Sequence, residues 1–300
     1  MTDTAQNAKT PVAVLKNRPK GQRTFIGDAL RRLLRNPLAI VGLAIVIIMI
    51  VMALFAPQIA PYSPIQTNLK LYVKPPSPDH ILGTDDVGRD VFSRIIYGAQ
   101  ISLEVSILSM VLGIALGVPL GMVSGFYGGR IDTFIMRLTD VFLAFPLLLL
   151  AIALVAAIGP SQNSAFIALG IAIWPYFARL ARGQALALKN HDFVVAARSI
   201  GARDARILAA HMLPNMLTPI IIYATLQIAA VILNESALAF LGLGAQPPTP
   251  SWGGMLASTR SFLTSAPWLP TYPGIAIFLA SLGFNLLGDG LRDALDVKQR

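Results

Sequence analysis

The sequence contains no cysteine. That excludes disulfide scaffolds, thiolate metal sites and cysteine nucleophiles, and leaves the redox compartment open. Charge is scarce too: Asp, Glu, Lys and Arg make up 13% of the 300 residues, against about 25% in an average soluble domain. A 32.1 kDa globule with so few charges would present a largely apolar surface, which excludes an ordinary cytosolic enzyme. Histidine is limited to His80, His191 and His211, without ligand-like spacing, and there is no GxxxxGK[ST] phosphate loop. What the chain has in excess is apolar sequence, 55% hydrophobic with a mean hydropathy of +0.64. A disordered chain and a nucleic-acid-binding domain of usual type are excluded as well, and the composition points to a protein whose solvent is lipid.

A helix needs about 20 mostly apolar residues to cross a hydrocarbon core of about 30 Å. Leu38 to Leu69 carries no charge, and its apolar part runs from Leu38 to Ala56. Val105 to Gly129 is a second stretch. Val141 to Ala178 is too long for one helix, and the turn signal Gly159-Pro160-Ser161-Gln162-Asn163-Ser164 divides it into two short spans. Met212 to Asn234 is the fifth span. Ser261 to Gly288 holds the sixth, with a helix start expected near Pro273 because Pro267, Pro270 and Pro273 crowd its front. The expected fold is an all-α integral membrane protein with six transmembrane helices. The first span follows a polar tail and is longer than a signal-peptide core, so cleavage is not expected.

The distribution of Lys and Arg sets the expected orientation. With the N-terminus in the cytosol, five of the 24 fall outside, at Lys70, Lys74, Arg89, Arg94 and Arg260, and the other 19 inside. Both termini are thus expected in the cytosol. Residues 1–37 form a cytosolic tail, 38–60 the first helix, 61–98 an external loop, 99–290 the remaining helices and 291–300 a cytosolic tail. Within 99–290 lie an inside loop, 179–213, and an outside segment, 235–272. The sequence pI of about 10.1 then reflects topology and attraction to anionic headgroups, not nucleic-acid binding.

The external loop contains His80-Ile81-Leu82-Gly83-Thr84-Asp85-Asp86-Val87-Gly88-Arg89-Asp90. Closely spaced carboxylates suit a hard cation, but the later Glu and regular ligand spacing of a calcium loop are missing. A structured cap with turns at the glycines and Asp–Arg hydrogen bonds is the expectation, with no metal. The segment 235–272 is apolar and then rich in Gly and Pro, from Phe240 to Gly254. Such backbone is tolerated at membrane depth only when buried in protein or facing water, so it reads as a re-entrant element near the mouth of a pathway. Trp252 and Trp268 are expected at the headgroup level.

The inside loop places Val194, Ala197, Ile200, Ile207 and Leu208 at roughly helical spacing, with Arg198, Arg203 and Arg206 as polar anchors. Gly201 permits a sharp turn, Asp204 is expected to cap the next helix, and Pro214 begins the return to the membrane. Ala196 and Ala197 let another backbone approach. Nothing in the chain obviously covers this face, so it is either a docking knob for a partner or an amphipathic helix resting on lipid.

Glu104, Asp140 and Glu235 are the ionisable residues nearest the spans, and all lie near span ends. Asp140 follows Arg137 by three residues, a spacing at which two helical side chains meet. A proton-coupled carrier would place carboxylates or histidines in mid-span, and none is there. Asp140, Glu235 and Gln246 are the candidates for a translocation path or its mouth. No catalytic constellation is visible, so energy for uphill transport would come from a partner.

Several blocks together carry a resemblance. Val195-Ala196-Ala197-Arg198-Ser199-Ile200-Gly201-Ala202, followed by Met212-Leu213-Pro214-Asn215, resembles the "EAA" coupling motif of type I ABC importer permeases. His80 to Arg94, Phe240 to Pro250 and Asn285 to Asp296 resemble the "C" permease of dipeptide, oligopeptide and nickel importers, and the likeness extends from Leu30 to Val297. The resemblance implies a MetI-like transmembrane domain with an extra N-terminal helix and a cytosolic coupling helix. It assigns ATPase coupling to Asp192, Phe193, Val194, Val195, Ala196, Ala197, Arg198, Gly201 and Ala202. It implies a second, "B"-type permease, two cytosolic ATPases that use ATP and Mg, an external solute-binding protein, and membrane lipid around the helices. This chain itself would bind no cofactor and catalyse no reaction. The implied cargo is a di- or oligopeptide, with glutathione, nickel chelates or opine-like solutes as alternatives. A stand-alone carrier or channel is the reading from a different class. The chain departs from the motif at Val195, where Glu is usual.

Overall fold

The structure is a computed structural model and is described for residues 25–295. Lys9, Lys16, Arg18, Lys20, Arg23, Lys298 and Arg300 of the charge count lie outside the described residues, as does most of the 1–37 tail. The described residues form helices α1 (Phe25–Leu33), α2 (Pro37–Leu54), α3 (Ala56–Ile59), α4 (Val91–Tyr127), α5 (Gly129–Leu143), α6 (Leu147–Ile158), α7 (Gln162–Leu188), α8 (Asp192–Ser199), α9 (Asp204–Arg206), α10 (Leu213–Phe240), α11 (Trp252–Thr259) and α12 (Trp268–Leu295). Five segments are long and apolar enough to cross a membrane, and α5 with α6, bent by 89°, makes a sixth if the pair is one span.

Each span starts or stops where its local chemistry dictates. The Asn36 side chain accepts from the Leu38 and Ala39 amides at 3.0 and 3.3 Å, with Pro37 in the first turn of α2. α2 then exposes Ile40, Val41, Ile47, Ile48 and Val51 on several sides, an arrangement suited to lipid. Its Gly42 rests against the backbone of α12 at Leu287 and Gly283.

Three helices overrun the charge-free stretches that suggested them. α4 begins at Val91, where Asp90 accepts from the Ser93 amide at 2.8 Å, so Arg94, expected in the external loop, lies on the helix. α7 continues through Arg179 and Arg182 to Leu188. α12 runs past Gly288 to Leu295, and it starts at Trp268, earlier than Pro273, because Pro270 occupies the first turn, where no intrahelical donor is needed. The physical reason is common to all three: the 37 residues of α4 reach about 55 Å, well beyond the hydrocarbon. A run without charge marks the dehydrated part of a helix, not its ends.

α4 and α7 form the centre of the fold. Gly113, Gly117, Gly121 and Gly125 recur every fourth residue on one face of α4. A side-chain carbon on Gly117, Gly121 or Gly125 would lie 2.3, 2.1 or 2.7 Å from the carbonyl oxygens of Trp174, Ala178 and Arg182. The two backbones therefore touch, which only small residues allow. Phe177, Ala181 and Ala185 of α7 complete this core.

The segment before α4 and the segment after α10 share one end of the bundle. Arg94 donates to the Pro64 carbonyl at 2.8 Å and the Pro248 carbonyl at 3.4 Å. Two of the cap carboxylates are hydrogen-bonded within the cap: Asp85 accepts from the Val87 and Arg89 amides and from Arg89 Nε at 2.6 Å, and Asp90 meets His80 Nδ1 at 2.9 Å. Among the described residues no group of three or more His, Asp or Glu side chains is placed to hold a metal. Trp252 does not present its ring to headgroups as expected. It is fully buried, with its indole N–H donating to the Ile95 carbonyl at 3.0 Å, since α11 packs inward between α4, α10 and α12. Trp268 is half-buried beside Gly83 of the cap.

Candidate coupling surface

The loop between α7 and α10 lies at the opposite end of the bundle, where α4 terminates. α7 ends at Leu188, and the His191 amide donates back to the Leu188 carbonyl at 2.9 Å. α8 follows with Asp192 in its first turn and Arg198 in its last, the arrangement that suits the helix dipole. Its end is closed by two bonds, Ala202 N–H to the Ala197 carbonyl and Gly201 N–H to the Arg198 carbonyl, both 3.0 Å. This is a Schellman cap, and it requires the left-handed backbone that Gly201 adopts at φ +79°. The turn expected from the sequence is thus a specific hydrogen-bonded device.

The apolar face anticipated for this loop divides in two. Val194, Ala197, Ile207 and Leu208 are buried in one apolar cluster with Met122 and Phe126 of α4 and Ala185 of α7, with Phe193 and Ala202 packed partly onto it. The Arg198 guanidinium covers the Phe126 ring at 5.2 Å, a cation–π contact. The expectation that nothing in the chain covers this face is therefore corrected: the ends of α4 and α7 cover half of it, because they extend beyond the membrane core. Val195, Ala196, Ser199 and Ile200 form the outward stripe, with Ile200 85% exposed and Val195 52% exposed. Asp192 is exposed beside them.

Asp204 does not cap α9. Arg203 holds the N-cap position without a side-chain hydrogen bond, and Asp204 stands one residue inside, in contact with the Tyr127 hydroxyl. From Ile207 to Met212 the helix widens to a π turn before α10. Pro214 supplies the reason. It has no N–H for the Ala210 carbonyl, and its ring crowds that oxygen, so the preceding turn opens. α9, the π turn and α10 run on from Asp204 to Phe240 as one continuous span.

The candidates for a path are separated. Asp140 pairs with Arg179 of α7 at 2.7 Å, both groups half exposed, and not with Arg137, which is turned outward. The α5–α7 seam that claims Asp140 also holds Asp132, which receives both Nε and Nη2 of Arg182 at 2.6 and 2.7 Å. Glu235 is enclosed in α10 at 1% exposure, with the Ser236 hydroxyl 3.4 Å away. Gln246 donates to the Gly242 and Gly244 carbonyls and lines a cavity of about 300 Å³ with Arg89, Arg94, Thr249 and Ser258. No hydrogen bond or ion pair joins the three. The sequence reading passed over the α4 glycines and the Asp132–Arg182 pair. The signal for the first was four glycines spaced by four; the second had none, since its residues are 50 apart.

Residues 117–300 match the family described as "Binding-protein-dependent transport system inner membrane component", and residues 24–76 match the "N-terminal TM domain of oligopeptide transport permease C". The chain belongs to the binding-protein-dependent permease family. This permease is 47% identical over 285 residues to a dipeptide transport system permease protein of Alkalihalophilus pseudofirmus, with 94% of each chain covered. It is 42% identical to a probable D,D-dipeptide transport system permease protein of Escherichia coli K12, covering 94% of this chain and 95% of the relative. A glutathione transport system permease protein of Escherichia coli O157:H7 is 46% identical, covering 94% and 93%. In fold the permease is similar to a chain of the MetNI methionine ABC transporter, with a TM-score of 0.56 at 16% identity, covering 68% of this chain and 96% of that one. The permease is therefore a non-catalytic, multi-pass membrane component of an ABC importer, built on the MetI-like fold.

Proposed function

We propose that this permease is the C-type subunit of an importer that carries di- or oligopeptides across the cytoplasmic membrane of a bacterium, with both termini in the cytosol. The loop 179–213 then faces the cytosol, and the cap with the segment 235–272 faces outward. The stripe of Val195, Ala196, Ser199 and Ile200 seats in a cleft of an ATPase subunit. ATP and Mg are held by the two ATPases. A B-type permease completes the pathway, and an external binding protein delivers the solute.

The observation that carries this reading is the outward stripe on a loop fastened from behind. Val194 and Ala197 tie α8, with Ile207 and Leu208 of the π turn, into the apolar cluster that includes the ends of α4 and α7, so a force on the stripe moves the whole packed unit. Because α9 to α10 is continuous from Asp204 to Phe240, displacement at the loop reaches the other end, where α11 and Gln246 sit. Val195 in place of the usual Glu makes the contact one of packing, not charge. Peptide cargo is supported by two relatives named for dipeptides. The relative named for glutathione supports a second cargo of the same chemical class.

The test exploits the absence of cysteine. Ser199→Cys and Ile200→Cys, each the sole cysteine, are expected to crosslink to an ATPase subunit in the assembled importer. Vesicles carrying the complex are expected to take up labelled dipeptide only with ATP and the binding protein. Full uptake without ATPases, or no adduct from either position in an active complex, refutes the reading. Competition between dipeptide and glutathione decides the cargo.

A further inference from the structure

α5 presents a surface that no described residue covers. Ile131, Phe134, Leu138 and Val141 are all exposed, and Phe134 is 72% exposed. Their spacing of three, four and three is the a/d repeat of a helix-to-helix seam. Only Ile135 and Thr139 of this helix are buried, on the neighbouring face about a quarter turn away.

Lipid is a poor occupant for this stripe. α2, which suits lipid, has no charge among its 18 residues, whereas the 15 residues of α5 include Arg130, Asp132, Arg137 and Asp140. Charged residues near a bilayer core are costly and turn toward protein or water. The two acids of α5 are both taken by α7, through Arg182 and Arg179. Its two arginines form no ion pair among the described residues. In the heptad they fall at consecutive g positions, beside the seam, where charges select a partner. A second copy of this chain would gather four unpaired guanidinium groups along one seam, which disfavours self-pairing. The charge left over calls for acids on the other side.

We infer that the α5 stripe is the docking seam for the second permease subunit, which lays an apolar helix flanked by carboxylates against Ile131, Phe134, Leu138 and Val141. The inference rests on the proposed subunit reading and adds to it which face is used and what chemistry meets it.

The test uses the full importer complex purified with its second permease. The photo-crosslinking residue benzoylphenylalanine is placed at Phe134 or Leu138, and at Ile48 of α2 as a lipid-facing control. Adducts to the second permease are expected from 134 and 138 and not from 48. Arg137→Glu is expected to lower the co-purified second permease about tenfold, as charge reversal at an interface does, while Arg137→Lys retains it. A complex that holds the second permease but yields α5 adducts only to lipid, or to a second copy of this chain, overturns the seam and leaves the subunit reading standing. A functional complex containing no second permease overturns both.

Discussion

The backbone of Gly121 in α4 rests on the carbonyl of Ala178 in α7, so closely that a methyl group on Gly121 would lie 2.1 Å from that oxygen. No rotamer change relieves such a clash, because both partners are main chain. Gly121→Ala is expected to cost about 1–3 kcal/mol or more, read as a lower melting temperature in detergent and a lower yield of folded protein. Gly183→Ala on exposed α7 surface, where nothing lies within 4 Å, is the control. It is expected to be neutral or to stabilise by up to about 1 kcal/mol.

Gly201 makes a different prediction, since a Cβ there would meet nothing within 4 Å and only its φ of +79° constrains it. Gly201→Val is expected to break the Schellman cap, because a β-branched residue in the left-handed region costs roughly 1–2 kcal/mol or more. Uptake should fall while membrane insertion stays normal and ATP hydrolysis by the complex continues. Gly201→Asn, which tolerates this conformation, should retain most uptake. Parallel measurement of ATP hydrolysis and solute uptake decides it, and tightly coupled uptake in the valine variant would refute the assignment.

The Asp132–Arg182 fork depends on geometry as much as on charge. Arg182→Lys keeps the charge and loses the paired contacts of Nε and Nη2. A double-mutant cycle with Asp132→Asn is expected to give a coupling of about 1 kcal/mol, weakened by salt, as for a partly exposed pair. A coupling of zero at low salt would show that packing alone holds α5 on α7.

The cap carries a pH dependence. Burial pushes the Asp86 carboxyl above its ordinary value, and Asp85 beside it adds to the rise. The folded cap therefore holds the proton more tightly than the unfolded chain does. Stability contributed by this group is present at acid pH and is lost as pH rises from the ordinary carboxylate range, about 3.9, through the raised folded value. Asp86→Asn should flatten that decline and leave the cap more resistant to proteolysis at neutral pH. Pulse proteolysis of wild type and variant across pH 4 to 7 measures it. A variant with an unchanged slope would place the titration elsewhere.

Much of the architecture was legible in the chain. The break at Gly159 to Ser164 separates α6 from α7 as expected, and the DDxGRD stretch forms the hydrogen-bonded cap that its Asp and Arg residues suggested. The turn at Gly201 was placed to the residue, because a glycine between two apolar-periodic segments leaves few local solutions. The ends of α4 and α7 were not legible. Hydropathy reports where charge is excluded, and both helices continue past that stretch, α4 into the packed cap and α7 into the cluster behind the loop.

By itself the sequence determined that the chain lives in lipid, that it crosses as helices, and that one loop turns at Gly201, since these follow from burial, backbone hydrogen bonding and local conformation. Only the tertiary structure decided which side of α8 is free, that Asp140 meets Arg179 and not Arg137, and that Trp252 and Glu235 are enclosed. Each of those outcomes depends on which distant helix arrives at the face. That is set by main-chain contact along the α4 glycines and by the overrun of helices past the membrane core, relations between residues some 40 to 160 positions apart that no local pattern encodes.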